Sequence, residues 1–274
     1  MDQTICKSCG ESFSGTYCNH CGEKVIHEED RKLKHFFSEF INALTFADTK
    51  LWRTLRTMVL RPGAFSKDFV EGKRVTYMKP LAIFFLANLL YFVFPIMDTF
   101  NTKLQYQSKS FAHSELVVRW VENEVGKREI GYEAYEAKYN AKTAELSKML
   151  LIIICPFIAL FFSIIHVGSN RQFYVDHLTV SLEMMAFILL FCVQLPGILL
   201  LLMKPLGLGF LLSDQYITSI ILIILGYFFW SVEQNFYEFK GFRMVLNVLL
   251  CISGVAVTVY LYRAILFFVT YWTI

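Results

Sequence analysis

The most specific chemistry in this chain lies in its first residues. Cys6-Lys7-Ser8-Cys9-Gly10 is followed, after an eight-residue interval, by Cys18-Asn19-His20-Cys21-Gly22. Two C-x2-C knuckles of this kind aim four sulfurs at one point, and Gly10 and Gly22 permit the positive φ wanted just after each turn. Four thiolates in a tetrahedron suit Zn²⁺ and fill its coordination shell, so the expected role is structural rather than catalytic. Rubredoxin-like iron would use the same ligands and ranks below zinc. His20 lies inside the second knuckle and could substitute for a cysteine, but four thiolates already suffice. Phe13 and Tyr17 are expected to supply the small apolar packing of the connecting hairpin. The alternative, a pair of disulfides, needs an oxidising compartment. No cleavable signal peptide is read here, because the first long apolar run begins only near residue 80.

A second kind of chemistry lies in ionisable residues set among apolar ones. Such groups are costly in lipid and are functional candidates by default. Glu183 lies about two turns into an apolar run. Asp176 is seven residues earlier on nearly the same helical face, and His177 is offset by about 100°. His166, Glu233 and Arg243 are expected at the same level, completing a polar cavity for a cation, a proton path or a lipid headgroup. The bland reading is that these groups sit near helix ends and reach water or headgroups, with Glu183 pairing to Arg243 or Arg171 to fix packing. A metal site from His166, His177 and Glu183 is a weaker expectation, since nothing in the spacing demands it. Asn88 and Gln194 read as interhelical hydrogen-bonding groups. Cys155, Cys192 and Cys251 read as small buried hydrophobes. The sequence shows no G-x-S-x-G, H-E-x-x-H, P-loop or G-x-G-x-x-G pattern, and Gly207-Leu208-Gly209 is too short to carry meaning.

The elements that must position these residues follow from composition. Of 274 residues, 55% are hydrophobic and 18% charged, with 27 Phe and a mean hydropathy of +0.47. A soluble globule is near a quarter charged, so this chain lacks the polar surface to cover itself. Five stretches reach or approach the roughly 20 apolar residues of a membrane span: 80–97, 149–167 (with a bend expected at Pro156), about 177–203 (broken or kinked at Pro196-Gly197), 217–232, and 245 to about 269. Counts of four or six remain open. Half of the 26 Lys and Arg lie before residue 80. With the N-terminus inside, the inner segments hold 16 Lys/Arg against 9 outside, which sets an N-in, C-out orientation. Arg263 falls near the outer end of the last span and can snorkel. The outer segment 98–148 is too long for a plain turn, and helices are expected over 114–125 and from Tyr132 into the second span.

Between the cysteines and the first span, apolar positions at 33, 36, 37, 40, 41 and 44 trace one helical face. Asp48 looks like the N-cap of a second helix burying Leu51, Trp52, Leu55, Met58 and Val59, which Arg61-Pro62-Gly63 ends. A short third helix holds Phe65 and Phe69. These helices are too charged to span. They fit an interfacial position in which Lys50, Arg53, Arg56, Arg61, Lys73 and Arg74 meet lipid phosphates, and packing against the bundle's end is a compatible alternative.

In this order the pieces resemble an uncharacterised family of bacterial multi-spanning membrane proteins with a zinc ribbon, domain of unknown function 3667. The resemblance rests on the cysteine head, Arg61-Pro62-Gly63, Gly72-Lys73-Arg74 with Tyr77 and Pro80, and Tyr174-Val175-Asp176-His177-Leu178. It implies an all-α membrane bundle in a bacterial inner membrane and no established activity. Relatives are expected to carry further histidines after the one that begins the third span. Glu183 and Met185 stand there in this chain, which weakens the case for a histidine-rich metal site.

The expected fold is therefore an all-α integral membrane bundle of about five spans, with a zinc ribbon over 1–26, a basic amphipathic connector over 27–79 and a membrane domain over 80–274. The leading functional expectation is a non-enzymatic docking, sensing or scaffold component. Its partners are the bilayer and a protein in the cytoplasm or membrane, or a second copy of the chain. Nucleic acid is not expected, since the head carries only Lys7 and Lys24. The alternatives are a transporter-like component using the Glu183 region and an intramembrane enzyme acting on lipid.

Overall fold

The computed structural model describes residues 4–21 except 7 and 16, and residues 49–274 except 98, 110, 112, 204 and 206–213. The helix expected from Leu33, the Asp48 cap, Gly22, Lys24 and the Gly207-Leu208-Gly209 run lie outside the described residues. The chain forms two units, residues 1–50 and 51–274.

In the first unit, β1 (Thr4–Ile5) and β2 (Ser12–Phe13) pair antiparallel, with Thr4 opposite Phe13 and Ile5 opposite Ser12. Among its described residues the buried apolar cluster is Cys6, Phe13 and Cys18. Phe13 packs as expected, but Tyr17 is 58% exposed and does not. By itself a cluster of this size does not offset the entropy of ordering the loop.

The second unit is helical, and its first helix begins two residues before the unit boundary. After α1 (49–60) come α2 (Ala64–Val70), α3 (Pro80–Val93), α4 (Leu104–Gln107), α5 (Ser114–Arg128), α6 (Tyr132–Met149) and α7 (Leu151–Ile165). Then follow α8 (Tyr174–Phe187), a π-helical stretch Ile188–Gln194, α9 (Leu195–Met203), α10 (Asp214–Val232), a π-helical turn Glu233–Tyr237, and α11 (Gly241–Thr273). Among the described residues, three continuous helical runs are long and apolar enough to cross a membrane: Tyr174–Met203, Tyr216–Tyr237 and Gly241–Thr273. The pair α6 and α7, bent by 54°, would make a fourth. The described residues thus supply three or four helices of spanning length where five were expected. The first expected span is the 14-residue helix α3, which rises only about 21 Å against a hydrocarbon core near 30 Å.

Pro156 lies inside α7, and the sharp bend is at Leu150, between α6 and α7. At Pro196-Gly197 the helix continues. The adjustment comes just upstream, where the π-helical stretch shifts the hydrogen-bond register ahead of a residue that has no N–H to give.

The apolar surface is distributed as in a protein that faces lipid. α3 buries Ile83, Phe84, Ala87 and Tyr91 on one face and exposes Phe85, Leu89, Phe92 and Val93 on the other. α10 and α11 likewise expose Ile223, Trp230, Leu249 and Val257. α8 is the central element, buried from Asp176 to Phe187 apart from a partly exposed Leu178. Its Thr179 and Ser181 hydroxyls donate to the carbonyls of Val175 and Leu178, so neither adds an unsatisfied group. α11, at 33 residues, rises about 50 Å and overshoots a bilayer core. Its last turns join α4–α6 in a second core of Leu104, Val117, Val121, Tyr135, Tyr139 and Phe267. The helices expected in the 98–148 segment therefore exist and have a packing reason. Arg263 lies at this level, its guanidinium 3.4 Å from the Thr99 carbonyl and over the Phe111 ring.

α7 and α11 meet at Gly254, where an added Cβ would fall 1.8 Å from Phe161 Cε1. Gly254→Ala is expected to destabilise the bundle by about 1–3 kcal/mol through overpacking. Adding Phe161→Ala should restore part of the loss. Thermal midpoints in detergent check both, and an unaltered Gly254→Ala midpoint would contradict the close approach.

Candidate functional site

The four head cysteines converge as their spacing requires. The first knuckle closes through Cys6 N–H donating to Glu11 O at 2.9 Å and Gly10 N–H to Cys6 O at 2.9 Å, with Gly10 at φ +76°. The donor atoms of Cys6, Cys9, Cys18 and Cys21 all lie within 4.8 Å of one another. Cys6 Sγ is 3.4 Å from Cys21 Sγ, and Cys9 Sγ is 3.6 Å from Cys18 Sγ. A disulfide would need about 2.05 Å. Sulfurs 2.3 Å from one tetrahedral ion would be about 3.8 Å apart, so the spacing fits a shared ion. All four are free thiols; Cys6 and Cys18 are buried and Cys9 and Cys21 exposed. Backbone N–H groups of Cys9 and Ser8 bring the Cys6 thiol down to about 7, and those of Cys21 and His20 lower Cys18; at Cys9 the Glu11 N–H lowers the thiol, but desolvation and the Cys6 and Cys18 sulfurs outweigh it and raise it. The group could hold a metal ion. His20 is exposed and outside it.

The second site is the corner between α1 and α2, with Glu183 at its centre. Gly63, at φ +83°, is the N-cap of α2 and donates its N–H to Glu183 Oε1 at 2.9 Å. Ser66 N–H donates to Oε2 at 3.2 Å, and the Ser66 hydroxyl makes a short bond to the same oxygen. The carboxylate thus satisfies N–H groups that a helix start leaves orphaned. Tyr227 OH donates to the Val59 and Leu60 carbonyls at 3.0 and 3.1 Å, closing the end of α1. Ser231 Oγ and Asn235 Nδ2 both donate to Pro62 O at 3.1 Å. A Cβ on Gly63 would lie 2.9 Å from Val232 Cα, so only glycine admits this approach. Glu183 is therefore an anchor for the Arg61-Pro62-Gly63 turn, and it pairs with neither Arg171 nor Arg243. Arg171 binds Glu71 at 2.8 Å, and Arg243 donates to Val167 O at 2.8 Å.

His166, His177 and Glu233 do meet, in a separate seam. His166 Nε2 lies 2.6 Å from Glu233 Oε1, with both side chains buried. The other ring nitrogen, Nδ1, is 2.8 Å from Phe162 O, and a carbonyl only accepts, so Nδ1 carries hydrogen. The imidazole stacks on Tyr237 at 3.5 Å between centroids, and Tyr237 OH is 2.9 Å from His177 Nδ1. Asn247 Nδ2 donates to Glu233 Oε2 at 3.1 Å. Asp176 is buried one residue before His177. The expected trio of His166, His177 and Glu183 does not assemble, because Glu183 is engaged at the α1–α2 corner.

The expected headgroup residues occupy the connector. Arg53, Arg56, Arg61, Lys73 and Arg74 are exposed, and Lys50 is half-buried. Lys73 pairs with Asp68 at 2.6 Å, which raises the lysine's affinity for its proton, and Tyr77 OH donates to the same Asp68 at 3.0 Å. Arg61 and Lys73 line a polar cavity of about 430 Å³ with Lys67, Asp68, Glu71 and Tyr77.

The segment that carries this corner has a match among known families. A family model described as Protein of unknown function (DUF3667) matches residues 48–92. The match covers 45 of the 274 residues. The matched segment contains α1, α2 and nearly all of α3, so it includes the turn that Glu183 holds, the Asp68–Lys73–Tyr77 contacts and the Pro80 start of α3. Neither the curated proteins nor the solved structures give a significant match.

Sequence reasoning found Glu183, His166 and Glu233 but missed Gly63, Ser66, Tyr237, Asn247 and Cys251 as their neighbours. Asn247 and Cys251, four apart on α11, gave a faint signal, since an amide and a thiol share one buried helical face.

Proposed function

We propose that the chain is a non-enzymatic component of a bacterial inner membrane, in which a cytoplasmic zinc ribbon serves as a docking or sensing head. The observation that carries this reading is the convergence of four free thiols at a spacing suited to one tetrahedral ion. Zn²⁺ is the metal this all-sulfur donor set suits best. On this reading the N-terminus is cytoplasmic, α3 and α7 complete the crossings that the three long helices begin, and the bundle passes the bilayer five times. The ribbon spans 1–26, the connector 27–79 and the membrane domain 80–274. Lys50, Arg53, Arg56, Arg61, Lys73 and Arg74 face anionic headgroups, each basic residue near the surface contributing about 1 kcal/mol.

Glu183 favours an anchoring rather than a transporting role, because both its oxygens are already committed to α2. The test is site-specific crosslinking from the ribbon in native membranes, using the full chain and a Cys9→Ser/Cys21→Ser variant. A defined adduct that disappears in the variant while the bundle's melting is preserved supports a docking head. The same adduct in both, or ion flux that Glu183→Gln abolishes in a folded protein, contradicts it.

A further inference from the structure

Glu233, at the start of the π-helical turn, holds its carboxylate against His166 from the end of α7, and the Cys251 thiol of α11 points to the same place. One ring nitrogen of His166, a carboxylate oxygen of Glu233 and Sγ of Cys251 all lie within 4.8 Å of one another. Each residue is 1% exposed.

We propose that His166, Glu233 and Cys251 form a second metal site, independent of the ribbon, for a divalent cation of the zinc class. The first argument is orientation. Metal-bound histidine commonly gives its other ring N–H to a carbonyl, which fixes the tautomer and points the free nitrogen at the ion. His166 does so through Phe162 O at 2.8 Å. The Glu233 carboxylate is oriented in turn by Asn247 Nδ2 at 3.1 Å on its other oxygen. Tyr237, stacked on the imidazole, blocks ring rotation.

The second argument is distance. Zn–N and Zn–O bonds of about 2.0–2.2 Å at a tetrahedral angle put those donors about 3.3 Å apart, and a Zn–S bond of about 2.3 Å puts sulfur about 3.6 Å from either. The present His166–Glu233 separation is 2.6 Å, so loading requires a spread of under about 1 Å, within reach of a side-chain torsion.

The third argument is charge. A dication with one carboxylate, one thiolate and one neutral imidazole sums to zero, the condition a buried site needs. Binding displaces the proton shared by His166 and Glu233 and the Cys251 thiol proton, and both leave to water. Three protein ligands leave a fourth position for water or a partner ligand, unlike the closed four-cysteine head.

The probe is zinc itself, loaded onto full-length protein in detergent and then desalted. A variant with Cys6, Cys9, Cys18 and Cys21 all changed to Ser is expected to retain one zinc ion per chain. Adding Cys251→Ser, a single-atom change, should weaken retention at least tenfold, and His166→Gln should do the same. With Co²⁺ as probe, the ribbon-less variant should show thiolate-to-cobalt charge-transfer absorption that Cys251→Ser removes. Thermal melting of each apo variant establishes that the bundle is folded. A folded ribbon-less protein that retains no metal overturns the site. So does cobalt–thiolate absorption that survives Cys251→Ser.

Discussion

Replacing Glu183 with alanine is expected to be among the most damaging single changes in the helical unit, costing on the order of 3–6 kcal/mol. The carboxylate accepts from Gly63 N–H, Ser66 N–H and the Ser66 hydroxyl, and all of these are buried. Removing it leaves three donors without water or a protein acceptor, each costing about 1–3 kcal/mol. Few substitutions exceed about 4–5 kcal/mol, and loss of a buried hydrogen-bond network is one of the mechanisms that does. Glu183→Gln should fall between, because one amide oxygen can still accept while the NH₂ group faces a donor. Gly63→Ala is expected to act on the same corner through its positive φ and the 2.9 Å approach to Val232 Cα. Melting of purified protein in detergent, with proteolysis in the α1–α2 turn as a local readout, checks the series. A Glu183→Ala protein with native melting and an uncut turn would contradict the anchoring role.

Metal withdrawal is the second large effect. The described ribbon has a buried cluster of three side chains, two of them the cysteines Cys6 and Cys18, and a sheet of two two-residue strands. Structural zinc supplies roughly 10–16 kcal/mol of folding free energy in comparable small domains, far more than this cluster could. Chelation, or Cys18→Ser, is therefore expected to abolish hydrogen-exchange protection of the Cys6 and Gly10 amides. Their hydrogen bonds to Glu11 O and Cys6 O exist only while the knuckle is closed. Protection that survives a strong chelator would mean that something other than a bound metal holds the loop.

How much of this was legible in the sequence depended on the range of the interaction. The cysteine cluster was readable because its four thiols lie within sixteen residues, and a local spacing rule suffices. The long helical runs were readable from apolar content. The count of spans was not, because α3 is helical for only 14 residues and the α6–α7 bend falls at Leu150, where no proline or glycine marks it. Glu183 stood out as a carboxylate in an apolar run, yet its partners Gly63 and Ser66 are 120 and 117 positions away. Nothing in a single sequence reports such a pairing. Cys251 read as a small hydrophobe for the same reason, since its meaning comes from His166 and Glu233 on other helices.

The central claim is a metal-holding thiolate head on a chain that threads lipid, and native mass spectrometry of the full chain extracted from membranes tests both halves. The account predicts protein released only by detergent and carrying zinc that the Cys6→Ser/Cys9→Ser variant loses from its head. Chain recovered without detergent, or a metal-free mass lowered by the hydrogens of two disulfides, would contradict it.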